Sequence, residues 1–472
     1  MPRPVLILGT IVHSLSLTSL EILENAAMAV DATGRIAFLE RDLAEEEVMT
    51  RWEALQGADM NGEVVRLRGD QYLFPGFIDT HIHAPQYPNA GIGLDLPLLD
   101  WLNKYTFPTE SKFSSQDFAR TIYPLIVRAT LCNGTTTAAY YATIHREATR
   151  VLAEVCQEMG QRSFVGKVCM DANSPDYYIE ASAEQSLADT RAAIQDIRSL
   201  DPEGVLVRPI ITPRFAPSCT PSLLSSLGQL SLEENLRVQT HMSENTSELD
   251  LVRDTFPEQP DYASVYDAHS LLHDRTVLAH CIHLSQREID LMKARRSGVA
   301  HCPTSNCALG SGMCQVRRLL DAGIEVGLGT DVSGGYSVSI LSTIRDATSV
   351  SRLAGFVNDD RKDQLSLSEV IHLATLGGAK VLSIEEETGN FIPGKWFDAL
   401  LVDLSPSSRS NVQIFDDEDT ATRLSKWVFC GDDRNLGRVW VGGRSVVKGG
   451  EVEVEVGITG GEKKSKEVVN GI

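Results

Sequence analysis

Two histidines one residue apart close an apolar run early in the chain. In LFPGFIDTHIH (73–83), Phe74 to Ile78 reads as a buried strand entered through Pro75 and Gly76, with His81 and His83 at its end. Side chains on a strand alternate faces, so both imidazoles point the same way, close enough to share one metal ion. Neutral imidazole is the usual nitrogen ligand for zinc. Two surface histidines beside a turn would show the same spacing, so the rest of the chain must supply the remaining ligands. Further apolar runs end in residues of the right kind: His241 in VQTHMSE, His280 in VLAHC and Asp331 in VGLGTD. Three imidazoles and a carboxylate can hold a divalent ion and leave a position for water. Such an ion lowers the pKa of bound water from 15.7 to about 7. The carboxylate of Asp331 can both ligate the ion and accept the water's proton. Glu244, three residues after His241, stands just past a strand end and is a candidate proton shuttle; read structurally it is a helix-start carboxylate.

These residues need a scaffold that gathers strand ends. Strand-like runs in the middle of the chain end near His83, Tyr141, Asp171, Thr212, His241, His280, Pro303 and Asp331, and helical patterns lie between them. SQREIDLMKARRSG opens with a capping box, Ser285 and Glu288, and is expected to stop at Gly298; a last helix is expected over 366–382, with a second box at Ser366 and Glu369. Eight strands alternating with helices predict an α/β fold, a TIM-type β/α barrel whose site lies at the carboxyl ends of the strands. The alternative is a doubly wound open sheet, but no Gly-x-Gly-x-x-Gly loop follows the first strand. Both ends of the chain are β-rich, as in VLILGTIV and GRVWVGGRSVVKGG. Residues 1–70 plus 385–456 are therefore expected to form a small composite β-sandwich domain, residues 71–384 the barrel, and 457–472, rich in Gly and Lys, a mobile tail.

Composition narrows the partners. A chain of 472 residues with 42% hydrophobic and 23% charged residues is ordinary for a globular protein. A formal net charge of −21 argues against nucleic acid, which needs a basic face. No stretch approaches the roughly 20 apolar residues of a membrane helix, and the apolar run after Arg3 is short for a secretory signal and broken by Gly9. Nine scattered cysteines favour reduced thiols and a cytoplasmic setting. Cys302 and Cys307 make no Cys-x-x-Cys pair and read as packing residues. His13, His145, His269, His273, His283 and His372 read as structural or exposed, and His301 either lines the pocket or packs beneath it. The acidic run Asp416 to Asp419 reads as a solvated loop.

PGFIDTHIH, HMSEN, LAHC and GLGTDVSGG together resemble the metal-dependent amidohydrolase superfamily, a β/α barrel with a small composite β domain. Within it, HAPQYPNAG (83–91), LDWLNKYTFPTE (99–110), RFAPSC (214–219) and HCPTSNCALGSG (301–312) resemble the guanine deaminase family. The resemblance covers nearly the whole chain before the tail. It implies hydrolysis of guanine to xanthine and ammonia with one Zn2+ per subunit, in purine catabolism or salvage, by a homodimer. It also implies that His81, His83, His241 and Asp331 ligate the metal, and that Glu244 shuttles the proton. His280 then stands beside the metal-bound water, and Gln86, Arg214 and Phe215 hold guanine. The residue types suit such a substrate: Phe215 can stack on a flat base, Arg214 can donate to a carbonyl oxygen, and Gln86 offers a donor and an acceptor. Arg214 can equally form a salt bridge at the strand mouth. Residues 95–110 are expected to cover the pocket. A related enzyme acting on another aminated ring, and a non-catalytic scaffold, are the competing readings.

Overall fold

The computed structural model describes residues 2–56 and 61–453. Eight parallel strands form one of its two sheets: Phe77–His83, Thr135–Tyr141, Arg162–Gly166, Val207–Pro213, Arg237–Met242, Thr276–His280, Gly298–His301 and Val326–Leu328. A two-residue strand, Val168–Cys169, prolongs the third and pairs with the fourth. The circle closes across the last and first strands. Thr80 Oγ1 donates to the Leu328 carbonyl at 2.9 Å. The N–H of Asp331 donates to the His81 carbonyl at 2.9 Å, and that of His83 to the Val332 carbonyl at 3.1 Å. The result is a nearly closed barrel, not an open doubly wound sheet, and its strand ends fall at or within a few residues of those expected.

Helices pack outside the barrel with their apolar stripes inward. Arg146–Met159 buries Val151, Leu152 and Val155 and ends on Gly160 at φ 76°, a left-handed cap that glycine adopts without penalty. Both expected capping boxes are present, at Ser285 with Glu288 and at Ser366 with Glu369. Their helices are shorter than expected. Gln286–Arg295 stops at a left-handed Arg296, and Gly298 already opens the seventh strand, where the buried backbone of Val381 lies against it. The helix over 366–382 is broken at Thr375 into Leu367–Ala374 and Leu376–Val381. The break lets Gly377 and Gly378 pack against the Val326 carbonyl and Ile78 beneath the barrel.

The second sheet draws on both ends of the chain. Its order is Glu451–Val452, Arg444–Lys448, Leu436–Val441, Ala399–Asp403, Gln71–Pro75, Val5–Ser16, Ser19–Val30 and Ile36–Arg41, with Glu63–Arg66 paired in parallel to Val5–Ser16. Val5 and Ile7 share a core with Met28, Phe397 and Trp440, while Leu6 faces the other way, onto Trp52. Trp52 belongs to the helix Glu45–Gln56, which the β-rich reading of this stretch did not foresee. The acidic run is more than a solvated loop: Asp419 caps the helix Thr420–Cys430, accepting from the Thr422 N–H at 2.8 Å, and Glu418 pairs with Lys426. The tail at 457–472 lies outside the described residues. Among the described residues no helix is long and apolar enough to cross a membrane.

The apolar run at 74–78 is divided between the sheets. Gln71–Pro75 pairs antiparallel with Ala399–Asp403, Gly76 makes the step, and Phe77 begins the barrel. A Cβ at Gly76 would lie 2.0 Å from Thr136 Oγ1, so only glycine fits the crossing. Its N–H donates to the Asp398 carbonyl at 3.0 Å. The Asp398 carboxylate in turn takes Arg162 of the third barrel strand at 2.9 and 3.2 Å, the Gly442 N–H at 2.6 Å and the Thr388 hydroxyl at 3.0 Å. Removing one partner of a buried ion pair strands the other charge. Asp398→Ala is expected to destabilise the protein by about 3–5 kcal/mol, read as a lower denaturant midpoint; an unchanged midpoint would show that Arg162 finds another acceptor.

Candidate active site

The strand ends bring the expected residues to one rim. On the first strand, period two puts His81 and His83 on one face, toward the cluster. His81 Nε2 lies 3.1 Å and His83 Nε2 3.5 Å from Asp331 Oδ1, and His83 Nε2 lies 3.1 Å from His241 Nε2. One ligand atom from each of His81, His83, His241 and Asp331 falls within 4.8 Å of the others. His280 Nε2 stands beside this group, 3.5 Å from Glu244 Oε2 and 3.8 Å from Asp331 Oδ2.

The arrangement fits a metal ion. Both ring nitrogens of His81 and Nδ1 of His83 are buried without a hydrogen-bond partner, a costly state for polar atoms unless something else engages them. His241 donates from Nδ1 to the Arg214 carbonyl at 2.6 Å, which leaves Nε2 as the lone-pair nitrogen aimed at the cluster. Burial holds the pKa of His81 below its usual value and those of His83 and His241 well below it, so these rings are neutral, as ligands must be. Burial alone would raise Asp331, but His81, His280 and His83 outweigh it and keep that carboxyl well below the ordinary range. Nitrogen and carboxylate donors of this kind suit zinc.

The neighbouring acids and bases are separated by environment. Burial lifts Glu244 to about 8, against the pull of His280, so near neutrality it can carry a proton. Burial disfavours the charged form of His280, yet Glu244 and Asp331 hold its pKa above 6.5. Its Nδ1 faces Asn306 Oδ1 at 2.8 Å, which fixes the ring and directs Nε2 into the site. The backbone bends sharply at these strand ends. Ser243, His280, Cys281 and Asp331 have φ of 53°, 71°, 50° and 48°, conformations costing on the order of 1–3 kcal/mol each that persist where the surroundings impose them.

A cleft of about 450 Å³ opens over the cluster, lined in part by His83, Gln86, Arg214, Phe215, Glu244 and Asp331. Gln86, Arg214 and Phe215, the three residues expected to hold a base, all line it. The salt bridge weighed for Arg214 also exists, and with a residue sequence reasoning missed. Buried Glu110 accepts from Arg214 Nη1 at 2.6 Å and Nη2 at 3.2 Å, and from Gln86 Nε2 at 2.8 Å. Residues 95–110 do cover the pocket: Leu98, Trp101 and Leu102 form its wall, and Leu98 and Trp101 pack on Leu309 across the mouth. Asn306 and Tyr141, whose ring lies 4.7 Å from His81 and 4.5 Å from His83, were also missed. Asp79 carried a readable signal, being two residues before His81; it accepts from the Thr330 N–H and hydroxyl and from the His81 N–H.

His301 does not line this cleft. Ala300 faces the barrel interior, so His301 points outward into a separate cavity beside Cys314, Val316 and Ser351. The remaining histidines are held by local partners: His13 by Glu21, His145 by Thr143, His269 by Ser225, His273 by Ser231, His283 by the Ser311 carbonyl and His372 by Ser14. Cys302 is buried and Cys307 exposed.

The pattern of the amidohydrolase family matches residues 72–446. A probable guanine deaminase from Schizosaccharomyces pombe is 50% identical over 466 residues, 98% of this chain and 86% of that protein. A guanine deaminase from C. acetobutylicum, solved with guanine in its active site, superposes with a TM-score of 0.85 at 36% identity over 94% of this chain and 100% of that one. An adenosine deaminase from Xanthomonas campestris, solved with bound zinc, has a TM-score of 0.79 at 25% identity, covering 96% and 94%. With a family pattern matching most of its length, the chain belongs to the amidohydrolase family.

Proposed function

We infer that this protein is a zinc-dependent guanine deaminase, hydrolysing guanine to xanthine and ammonia. The observation that carries the reading is one cleft holding both halves of that chemistry. The His81, His83, His241 and Asp331 cluster lies at its floor, and Arg214, Gln86 and Phe215 form a wall suited to a flat, carbonyl-bearing base. The guanine deaminases to which the chain is similar support the choice of base, and the zinc in its more distant neighbour supports the choice of metal.

One Zn2+ per subunit, held by His81, His83, His241 and Asp331, supplies Lewis acidity and an activated water. The chain's own residues do the rest. Arg214 and Gln86 orient the base through its polar edge, and Phe215 packs on its face, so that the amino-bearing carbon C2 faces the cluster. Asp331 takes the proton of the attacking water, with His280 directed at the same point by Asn306. Glu244 gives its proton to the adjacent ring nitrogen, takes up the proton of the new C2 hydroxyl and passes it to the departing amine; the proton held by Asp331 then returns to Glu244. The new C–O bond replaces the C–N bond, giving xanthine and ammonia. Leu98, Trp101 and Leu102 exclude bulk water from the cleft, which strengthens each of these polar contacts.

The reaction places the protein in purine catabolism or salvage. A cytoplasmic setting is supported by nine cysteines, none in a disulfide; a homodimer rests on the family resemblance alone. The test of function is ammonia release by the zinc-loaded protein from guanine, with adenine and cytosine beside it. Release from guanine alone is expected, abolished by a chelator and restored by zinc; release from adenine instead would assign another ring.

Replacing Glu244 removes the proton carrier and leaves the ligands. Glu244→Gln is expected to retain a full complement of zinc while turnover falls by about 10²–10⁴-fold. Metal content and kcat measured on one preparation check this; near-normal turnover would take Glu244 out of the mechanism.

A further inference from the structure

We propose that Glu110 is the positioning residue of the base pocket, and that by offsetting the charge of Arg214 it makes the pocket favour the neutral purine over the anion of the deaminated product. This rests on the guanine deaminase reading. Glu110 ends the helix Phe107–Glu110 of the covering segment and is 0% exposed; Arg214 and Gln86 are 3% and 2% exposed. Its two oxygens hold two nitrogens of Arg214 and one of Gln86. The Gln86 carbonyl oxygen accepts from the Ser333 N–H at 3.3 Å, so the amide is fixed from both sides and cannot flip. The ring of Phe107 lies 5.1 Å from the Arg214 guanidinium and confines its face. One carboxylate thus sets the direction of both polar groups that meet the base.

The charge balance follows from the same contacts. A buried guanidinium without a partner attracts an anion strongly, and Glu110 supplies that anion from within the chain. Arg214 can then offer its remaining N–H groups to a carbonyl as a donor without adding net positive charge. Tyr123, Tyr178 and His145 are the other titratable groups near Glu110. Burial holds both tyrosines well above their usual pKa and His145 below its own, so all three are neutral. On the far wall stand the Asp331 carboxylate and Glu244, which carries a proton near neutrality, with His280, whose pKa they raise, beside them. Deamination replaces the C2 amine with a carbonyl, and the dioxo ring gives up a proton more readily than guanine does. The product therefore becomes an anion near neutrality beside a guanidinium whose charge Glu110 already balances, which favours its release.

The test measures xanthine inhibition against guanine KM for the zinc-loaded protein and for Glu110→Gln, from slightly acid to slightly alkaline pH. In the wild-type protein the inhibition constant is expected to rise as xanthine ionises. In Glu110→Gln it is expected to fall with the same ionisation, on the order of tenfold relative to guanine KM. Glu110→Asp is expected to restore the wild-type direction. A merely structural role would weaken guanine and xanthine alike, so an unchanged ratio with normal zinc content overturns the proposal and leaves the function intact. The wild-type protein decides the matter even if the variant fails to fold, because tighter binding of ionised xanthine would also overturn it. If the wild-type protein releases no ammonia from guanine, the functional reading fails first and takes this proposal with it.

Discussion

The hydrogen bond from the Asp331 N–H to the His81 carbonyl, 2.9 Å long, is the contact on which the site depends. It joins the end of the eighth strand to the first and closes the barrel at the point where a carboxylate meets two imidazoles. Residues 250 positions apart in sequence cannot be brought to 3.1 Å by local structure; closure of the sheet does it. The cost is considerable. Buried imidazoles and carboxylates lose hydration, and Asp331 and His280 take backbone conformations that non-glycine residues avoid. Such groups stay in place because the surrounding strands and helices leave them no other position.

Support for that closure comes from beneath. The composite sheet meets the barrel at Gly76 and at the Asp398–Arg162 pair, on the side of the barrel away from the cluster. Gly377 and Gly378 bring a helix close under the first and last strands, touching Ile78 and the Val326 carbonyl. The two ends of the chain therefore hold the N-terminal rim of the barrel, while the C-terminal rim carries the strained, desolvated and reactive groups. Stability and chemistry occupy opposite ends of the same eight strands.

The sequence made the barrel and its cluster legible for a specific reason. A buried strand announces itself by an apolar run, and the barrel places whatever follows that run on one rim, so His81, His83, His241, His280 and Asp331 could be read from their positions after such runs. Glu244 was legible by its distance from His241. What escaped notice came from outside the strands. Glu110 and Asn306 lie in segments whose likeness to relatives was visible, but both sit in short helices away from the strand ends, and neither periodicity nor spacing says that one clamps Arg214 and the other orients His280. The helix Glu45–Gln56 was hidden by the β-rich stretches around it, and the ends of Gln286–Arg295 and Leu367–Ala374 were set by packing of Gly298, Gly377 and Gly378, which local patterns do not record.

The same contrast separates the two tasks of the cleft. The cluster of His81, His83, His241 and Asp331 is set by residues at the ends of rigid strands, whose positions the backbone dictates. The polar wall of the cleft is set instead by the Glu110–Arg214–Gln86 triad, one member on the covering segment, one just past the fourth strand and one in the turn after the first. Its three side chains are useful only in register with one another, since an unpaired guanidinium or a flipped amide would present the wrong charge or the wrong donor. Changing the base therefore requires concerted change in separate segments, whereas the metal cluster beneath can remain as it is. That asymmetry is a physical reason for one barrel to serve many aminated rings while each pocket serves few.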